Sequence, residues 1–144
     1  MTVSPRPDPQ PDPGPRAEAA DDDRESAYEL FRRGSRLLAE RHPGAAAVIL
    51  ERASRLEPGK ASILEALAQA YYNQGAAALA AERFREMVDR NPLAHYAFFG
   101  LGLSEARLGH REAARRHLRM AVRLHPESED YRRALRRVEA VRGS

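Results

Sequence analysis

Hydrophobic and small residues recur along the chain at steps of 34 residues. Bulky side chains follow this step from Leu30 to Leu64 and Phe98. Other series keep the same step in phase: Gly34, Ala68 and Gly102; Ala46, Ala80 and Ala114; Leu50, Phe84 and Leu118; Ala53, Met87 and Ala121; Pro58, Pro92 and Pro126. A repeat of this length is typical of a solenoid in which each unit is one supersecondary motif.

Each unit is predicted to form two antiparallel helices. Small residues at the eighth and twentieth positions of a unit let the two backbones approach closely, and bulky residues fill the space beside them. Proline at position 32 lacks the N–H that would continue the second helix, so the chain turns there. Gly75 and Gly109 lie in the turn between the helices, where glycine tolerates a left-handed backbone, and the first unit has Arg41 in that place.

The pattern resembles the tetratricopeptide repeat, in which large apolar, small and proline positions follow this order. Residues 27–60, 61–94 and 95–128 match the repeat in register. Arg33 and Glu105 depart from it, at an apolar and an aromatic position, and we interpret both as end effects because outer repeats have fewer neighbours. The resemblance, to short bacterial members with three repeats and a capping helix, implies an all-α fold: an α-solenoid of three antiparallel helical hairpins.

One amphipathic helix is predicted after the third unit. Tyr131, Ala134, Leu135 and Val138 recur at helical spacing with arginines between them. The resemblance implies that this helix, at residues 128–141, caps the end of the solenoid. Seven helices are therefore expected, near residues 23–40, 43–56, 60–73, 77–90, 93–107, 110–123 and 128–141.

The first 22 residues are predicted to form a disordered, acidic, proline-rich tail ahead of a helical domain at residues 23–142. Proline occupies every second position from Pro5 to Pro15, which favours an extended chain and leaves no PxxP motif. No basic region precedes an apolar stretch, so a secretory signal is not expected. A membrane span is not expected either, since no apolar run is long enough.

Charge is distributed unevenly along the 144 residues, whose formal net charge is +3. Residues 1–30 hold three arginines against eight acids, and residues 105–144 hold eleven arginines against six acids. The basic end raises the alternative of binding to an anionic partner such as RNA. Interspersed acids favour the simpler interpretation of a solvated face. The arginines concerned are Arg115, Arg116, Arg119, Arg123, Arg132, Arg133, Arg136 and Arg137.

No catalytic, cofactor or metal site is predicted. The chain has no Gly-rich phosphate loop, no nucleophile elbow and no histidine pair at helical ligand spacing, so it is not expected to be an enzyme. It contains zero cysteines, which excludes disulfides and thiolate sites and makes a cytoplasmic location the expectation. The five histidines are scattered and are interpreted as ordinary surface residues.

The resemblance implies a groove lined by the first helix of each unit. Four of the nine aromatic residues would lie in it at the second and fifth positions of the outer repeats, which packing alone does not require. The groove is predicted to carry Tyr28, Phe31, Arg32, Ser35 and Leu38, then Glu65, Gln69, Tyr72 and Asn73, then Tyr96, Phe99, Leu103 and Arg107. The other interpretation is that these aromatics cover neighbouring helices, or that the tail lies over them.

Relatives that grip a C-terminal carboxylate do so with lysine, asparagine and arginine side chains in the groove. At the corresponding places this sequence has Phe31, Ser35, Ala66, Tyr96 and Gly100, so that clamp is missing. We therefore expect a non-catalytic adaptor or scaffold that binds a peptide or helix segment of another protein in an aromatic groove. Self-association through the groove or the end helix is a third hypothesis.

Overall fold

The computed structural model describes residues 27–140, and that range contains seven helices and no strand, as the repeat pattern predicts. Helix α1 covers residues 27–39 of the described chain. The others are α2 (Pro43–Leu56), α3 (Ala61–Gln74), α4 (Ala77–Arg90), α5 (His95–Arg107), α6 (Arg111–Leu124) and α7 (Glu129–Ala140). The predicted tail and the predicted start of α1 lie outside the described residues.

The helices form a series of hairpins in which sequence neighbours are also neighbours in space. Helices α3 and α4 pair, as do α5 and α6, and each second helix also packs against the first helix of the next unit. Helix α7 packs against α6 and α5, where the first helix of a fourth unit would stand. Because α3 also contacts α5, the first helices of successive units share one face of the solenoid.

Small residues let the paired helices approach, as predicted. A Cβ atom placed on Gly34 of α1 would lie 2.5 Å from Leu50 Cγ of α2, and one on Gly102 of α5 would lie 2.6 Å from Leu118 Cγ of α6. The alanines at the twentieth position of each unit are fully buried. Any larger residue at these sites would push the helices apart.

The core runs continuously along the solenoid between the helix layers. Its largest buried side chains include Leu50, Leu64, Leu67, Leu101 and Leu118, and Phe84 is only 5% exposed. Ala53, Met87 and Ala121, at the twenty-seventh position of each unit, are buried where the next helix packs. The positions that share the 34-residue step are therefore the positions that fill the core.

The turns after α1, α3 and α5 share one geometry. Gly75 and Gly109 have φ of 93° and 83°, and Arg41 takes the same left-handed backbone at 66°. In each turn the next residue donates its N–H to the carbonyl five residues earlier: His42 to Leu37, Ala76 to Tyr71 and His110 to Glu105, at 2.8, 2.9 and 2.9 Å. This bond satisfies a carbonyl that the helix end would otherwise leave free.

Glu105 shows that one interpretation of the sequence was wrong. Its side chain is not at a free end: the residue is 2% exposed and lies between α4 and α6. Its carboxylate accepts hydrogen bonds at 2.6 Å from His117 Nδ1 and at 3.3 Å from Arg85 Nη2. The aromatic position is thus replaced by a buried polar network. Arg33, the other departure, is exposed, as a terminal position allows.

Candidate functional site

The inner face of the solenoid is formed by α1, α3 and α5, and it carries two adjoining cavities. One, of about 180 Å³, lies between α3 and α5; the other, of about 290 Å³, lies between α1 and α3. Both are bordered by Glu65 and Gln69, so they form one trough across the three helices. We call this trough the inner groove; its lining is Phe31, Leu38, Ser62, Glu65, Ala66, Gln69, Tyr72, Phe84, Tyr96, Phe99, Gly100 and Leu103.

Eight of the thirteen residues predicted to lie in the groove do line it: Phe31, Leu38, Glu65, Gln69, Tyr72, Tyr96, Phe99 and Leu103. The other five lie outside its lining. Tyr28 is 61% exposed at the start of α1, with the Arg32 guanidinium 5.7 Å from its ring centre. Ser35 is half-buried, and Asn73 Oδ1 accepts a 3.0 Å hydrogen bond from Gln69 Nε2.

Arg107 ties the end of α5 to α3. Its guanidinium lies 3.8 Å from the centre of the Tyr72 ring, and Nη1 donates a 2.9 Å hydrogen bond to the Tyr72 carbonyl oxygen. A cation over the face of an aromatic ring is attracted by the negative potential there. Arg107 therefore holds Tyr72 at the wall of the groove and leaves a positive charge at its edge.

Phe99 takes part in packing as well as lining the groove. Its ring stacks on Tyr131 of α7, with the ring centres 4.6 Å apart. Since α7 occupies the place of a following repeat, its first turns meet the fifth position of α5. Phe31 likewise packs against both buried clusters of the core. The expectation that packing does not require these two aromatics is therefore wrong.

The floor of the groove comes from a residue that sequence reasoning assigned to the core alone. Phe84 of α4 borders the cavity between α3 and α5 through the gap that Gly100 leaves. A Cβ on Gly100 would lie 2.3 Å from Phe84 Cζ. Glycine at a groove-facing helical position, where it costs helix stability, was the signal that could have shown this.

Histidines at the α5–α7 junction are not the scattered surface residues we expected. His95 stacks on His125, with ring centres 4.4 Å apart, and a 2.7 Å hydrogen bond joins His95 Nδ1 to Tyr131 Oη. Burial, and secondarily the charge of Asp130, raises the pKa of Tyr131. The cluster fastens α7 beside Tyr96. Across residues 27–140, no three His, Asp or Glu side chains are grouped to hold a metal ion.

The C-terminal arginines are largely paired with carboxylates. Arg119 contacts Glu139 at 3.3 Å, and Glu129 contacts both Arg132 at 2.7 Å and Arg136 at 3.0 Å. Arg115 pairs with Glu112, and Arg133 with Asp130. Hydrogen bonds from Arg136 and Arg132 lower the pKa of Glu129. Five of the eight arginines considered as an anion site thus have an acidic partner.

Comparison with known proteins agrees with this architecture. A family model described as "Tetratricopeptide repeat" matches residues 96–128. No curated protein sequence matches the chain. None of the helices in the described range is long and apolar enough to cross a membrane.

Three solved structures illustrate the similarity. The first tetratricopeptide domain of Spaghetti (RPAP3), bound to the HSP90 peptide SRMEEVD, has 18% identity and a TM-score of 0.77, covering 83% of this chain and 95% of that one. The second such domain of human RPAP3, in complex with the HSP70 peptide SGPTIEEVD, has 17% identity and a TM-score of 0.75, covering 81% and 98%. YrrB, a protein of the same repeat type with an unusual peptide-binding site, has 22% identity and a TM-score of 0.73, covering 76% and 57%.

Proposed function

Since the chain has the tetratricopeptide-repeat fold, we propose that it is a non-catalytic adaptor or scaffold that binds a segment of another protein in the inner groove. The supporting observation is the continuous trough across α1, α3 and α5, in which aromatic rings surround the amide side chain of Gln69. Rings supply apolar contact area and amides supply hydrogen bonds, the combination that peptide-binding grooves use. Two of the similar solved domains were bound to peptides.

The mode of binding differs from a charged clamp. Phe31 and Tyr96 border the groove where a clamp would have lysine, and the ring of Phe84 fills the space beside Gly100. A cationic side chain at Gly100 would collide with that ring. Recognition then rests mainly on apolar contact and neutral hydrogen bonds, so affinity should fall much less with salt than phosphate binding does.

Binding of an anionic partner such as RNA through the C-terminal arginines is the less favoured alternative. Five of those eight arginines already pair with acids, which would have to be separated or screened for phosphates to bind. Salt titration separates the two functions: phosphate binding weakens steeply between roughly 50 and 200 mM salt, whereas groove binding does not. Self-association and a cytoplasmic location stay predictions, and light scattering tests the first.

Peptide selection tests the proposal directly. A random peptide library displayed on phage is selected against the full chain, and bound peptides are mapped by amide chemical shifts. We expect shifts to cluster at Gln69, Tyr72 and Leu103. The exposed outer-helix residues Val48 and Leu79 serve as the matched control surface. Peptides that shift the outer helices instead, or a selection that yields no binder, would contradict the proposal.

A further inference from the structure

Resting on the proposed function, we propose that the inner groove recognises an extended, proline-rich, acidic segment, and that its occupant is residues 5–15 of the same chain. The segment reads Pro-Arg-Pro-Asp-Pro-Gln-Pro-Asp-Pro-Gly-Pro. Bound there, it would act as an internal competitor that an external partner must displace. Hydrogen bonding, aromatic surface, attachment point, length and charge each support this assignment.

Hydrogen-bonding capacity favours this segment. Proline has no N–H, so the eleven residues offer eleven carbonyl acceptors but only five backbone donors. An extended proline-rich chain makes no internal hydrogen bonds, and its carbonyls need outside donors. The groove supplies them from Gln69, Tyr72 and Tyr96, with Asn73 and Arg107 at its edge. Glu65 is the one carboxylate in its lining.

Aromatic surface favours the same occupant. Proline rings pack flat against aromatic faces, and grooves lined with aromatic residues recognise proline-rich chains because these lose little entropy on binding. Tyr72, Tyr96, Phe31 and the Phe84 floor present such surface in two adjoining hollows. A helical ligand satisfies its own backbone and would leave the Gln69 amide without a backbone partner.

The point of attachment places the segment beside the groove. Residue 27 begins the described part of α1, and Tyr28 lies 61% exposed in the first turn. Tyr96 has the same position in the third unit and borders the groove. Since α1 and α5 run in the same direction, Tyr28 and Tyr96 mark the same edge of the inner face. The preceding chain therefore joins the molecule at that edge.

The length and the charge of the N-terminal segment also fit the inner groove. At about 3.1 Å per residue an extended eleven-residue segment spans roughly 34 Å, more than the roughly 20 Å across three neighbouring helices. Eleven residues, 16–26, separate this segment from the described part of α1, and a flexible chain of that length would reach about 18 Å. Residues 1–26 hold seven acids against three arginines, and the Arg107 guanidinium lies on Tyr72 at the edge of the groove.

A spin label tests the assignment on the full chain. The protein has no cysteine, so Ser4→Cys gives one labelling site outside the segment. We expect the label to broaden the amide signals of Gln69, Phe99 and Leu103 but not those of Val48 and Leu79, equally at all protein concentrations. Replacing Pro7, Pro9, Pro11 and Pro13 with alanine should remove the broadening and lower the melting temperature by several degrees, because a segment that binds only the folded state stabilises it.

A competition measurement provides a second, independent test of the same assignment. A separate fluorescent peptide of residues 3–17 is titrated into the full chain and into the four-alanine variant. A tethered competitor acts at an effective concentration of about 1 mM, so for a peptide with Kd near 100 µM the intact chain should bind about tenfold more weakly. The matched control is a variant with Val48→Ser, which should bind as the intact chain does.

The results of these two experiments decide whether residues 5–15 occupy the groove. Absent broadening, or equal peptide affinity for both chains, overturns the assignment. Broadening that grows with protein concentration means that a second copy supplies the segment, which also overturns the internal competitor. If the peptide does not bind but library-selected peptides still map to Gln69 and Tyr72, this assignment fails and the proposed function stands.

Discussion

Arg41 carries a left-handed backbone that its side chain does not favour. Gly75 and Gly109 hold the same conformation in the equivalent turns, and all three turns are closed by the same hydrogen bond. This conformation destabilises a residue other than glycine by roughly 1–2 kcal/mol. Substitution with glycine removes that strain, but it also raises the conformational entropy of the unfolded chain, which offsets part of the gain. We expect Arg41→Gly to raise the free energy of unfolding by about 1 kcal/mol.

Chemical denaturation measures this change, and the reverse substitution provides its control. A Cβ on Gly75 would meet no atom within 4 Å, so Gly75→Arg should report backbone strain without steric clash. It should destabilise by a similar amount. Unchanged stability in both variants would show that the turn conformation carries no cost.

Tyr71 gives the molecule a dependence on alkaline pH. Burial, followed by the hydrogen bond that its hydroxyl donates to Glu51, raises the pKa of Tyr71 to about 12, from 10.0. Because the raised pKa favours the neutral form in the folded state, the stabilisation is complete below pH 10 and is lost as pH rises toward 12. A pKa shift of this size corresponds to about 2 to 3 kcal/mol of folding stability that is lost at high pH.

Urea unfolding between pH 8 and 11.5 tests this prediction. At pH 8 the free energy of unfolding of Tyr71→Phe should be about 1 kcal/mol lower than that of the unaltered protein, because the buried hydrogen bond is lost. Between pH 8 and 11.5 it should then fall less steeply. Tyr131, whose pKa is also raised, titrates in both proteins and cancels in the comparison. Parallel pH profiles for the two proteins would contradict the assignment to Tyr71.

At the scale of elements, α7 depends on Tyr131 for its attachment to the solenoid. Its ring is buried, stacks on Phe99 and bonds His95. Removing a buried aromatic side chain typically costs 3–5 kcal/mol, and we expect Tyr131→Ala to destabilise by about 3 kcal/mol. Tyr131→Phe, the matched control, should cost about 1 kcal/mol because it loses only the hydrogen bond.

Hydrogen exchange distinguishes local from global loss. In the Tyr131→Ala variant, amides of α7 should exchange much faster than those of α3, because the end helix has fewer neighbours than a central one. Uniform acceleration along the chain would show instead that α7 unfolds together with the whole solenoid.

At the scale of the whole molecule, the 34-residue step was enough to predict the helices. The step marks buried positions such as Leu50 and Leu118, and packing at those positions determines where helices pair. The α5–α7 junction was not predictable in this way, because His95 and Tyr131 are 36 residues apart and belong to different units. Glu105 was misjudged for the same reason: its partners lie on two other helices.

The groove was predictable only in part. Position along α1, α3 and α5 was enough to find Gln69, Tyr72 and Tyr96, but it also named five residues that lie outside the lining. The roles of Phe84 and Phe99 depend on how far neighbouring helices reach, which periodicity does not contain. Variants that test function should therefore use exposed lining residues and leave Phe31 and Phe99 unchanged.

The central claim is that the inner groove binds a protein segment independently of what holds the fold together. Its most direct test compares affinity for a library-selected peptide with free energy of unfolding, in one groove variant and one core variant. The groove variant combines Gln69→Ala with Tyr96→Ala, both exposed residues at the same cavity. The core variant is Leu50→Ala, fully buried between α1 and α2.

We predict that the groove variant loses about thirtyfold in affinity, equivalent to about 2 kcal/mol, while its unfolding free energy changes by less than about 1 kcal/mol. The core variant should lose about 2 to 5 kcal/mol of stability and keep its affinity while folded. A groove variant that binds the peptide as tightly as the unaltered protein would contradict the account.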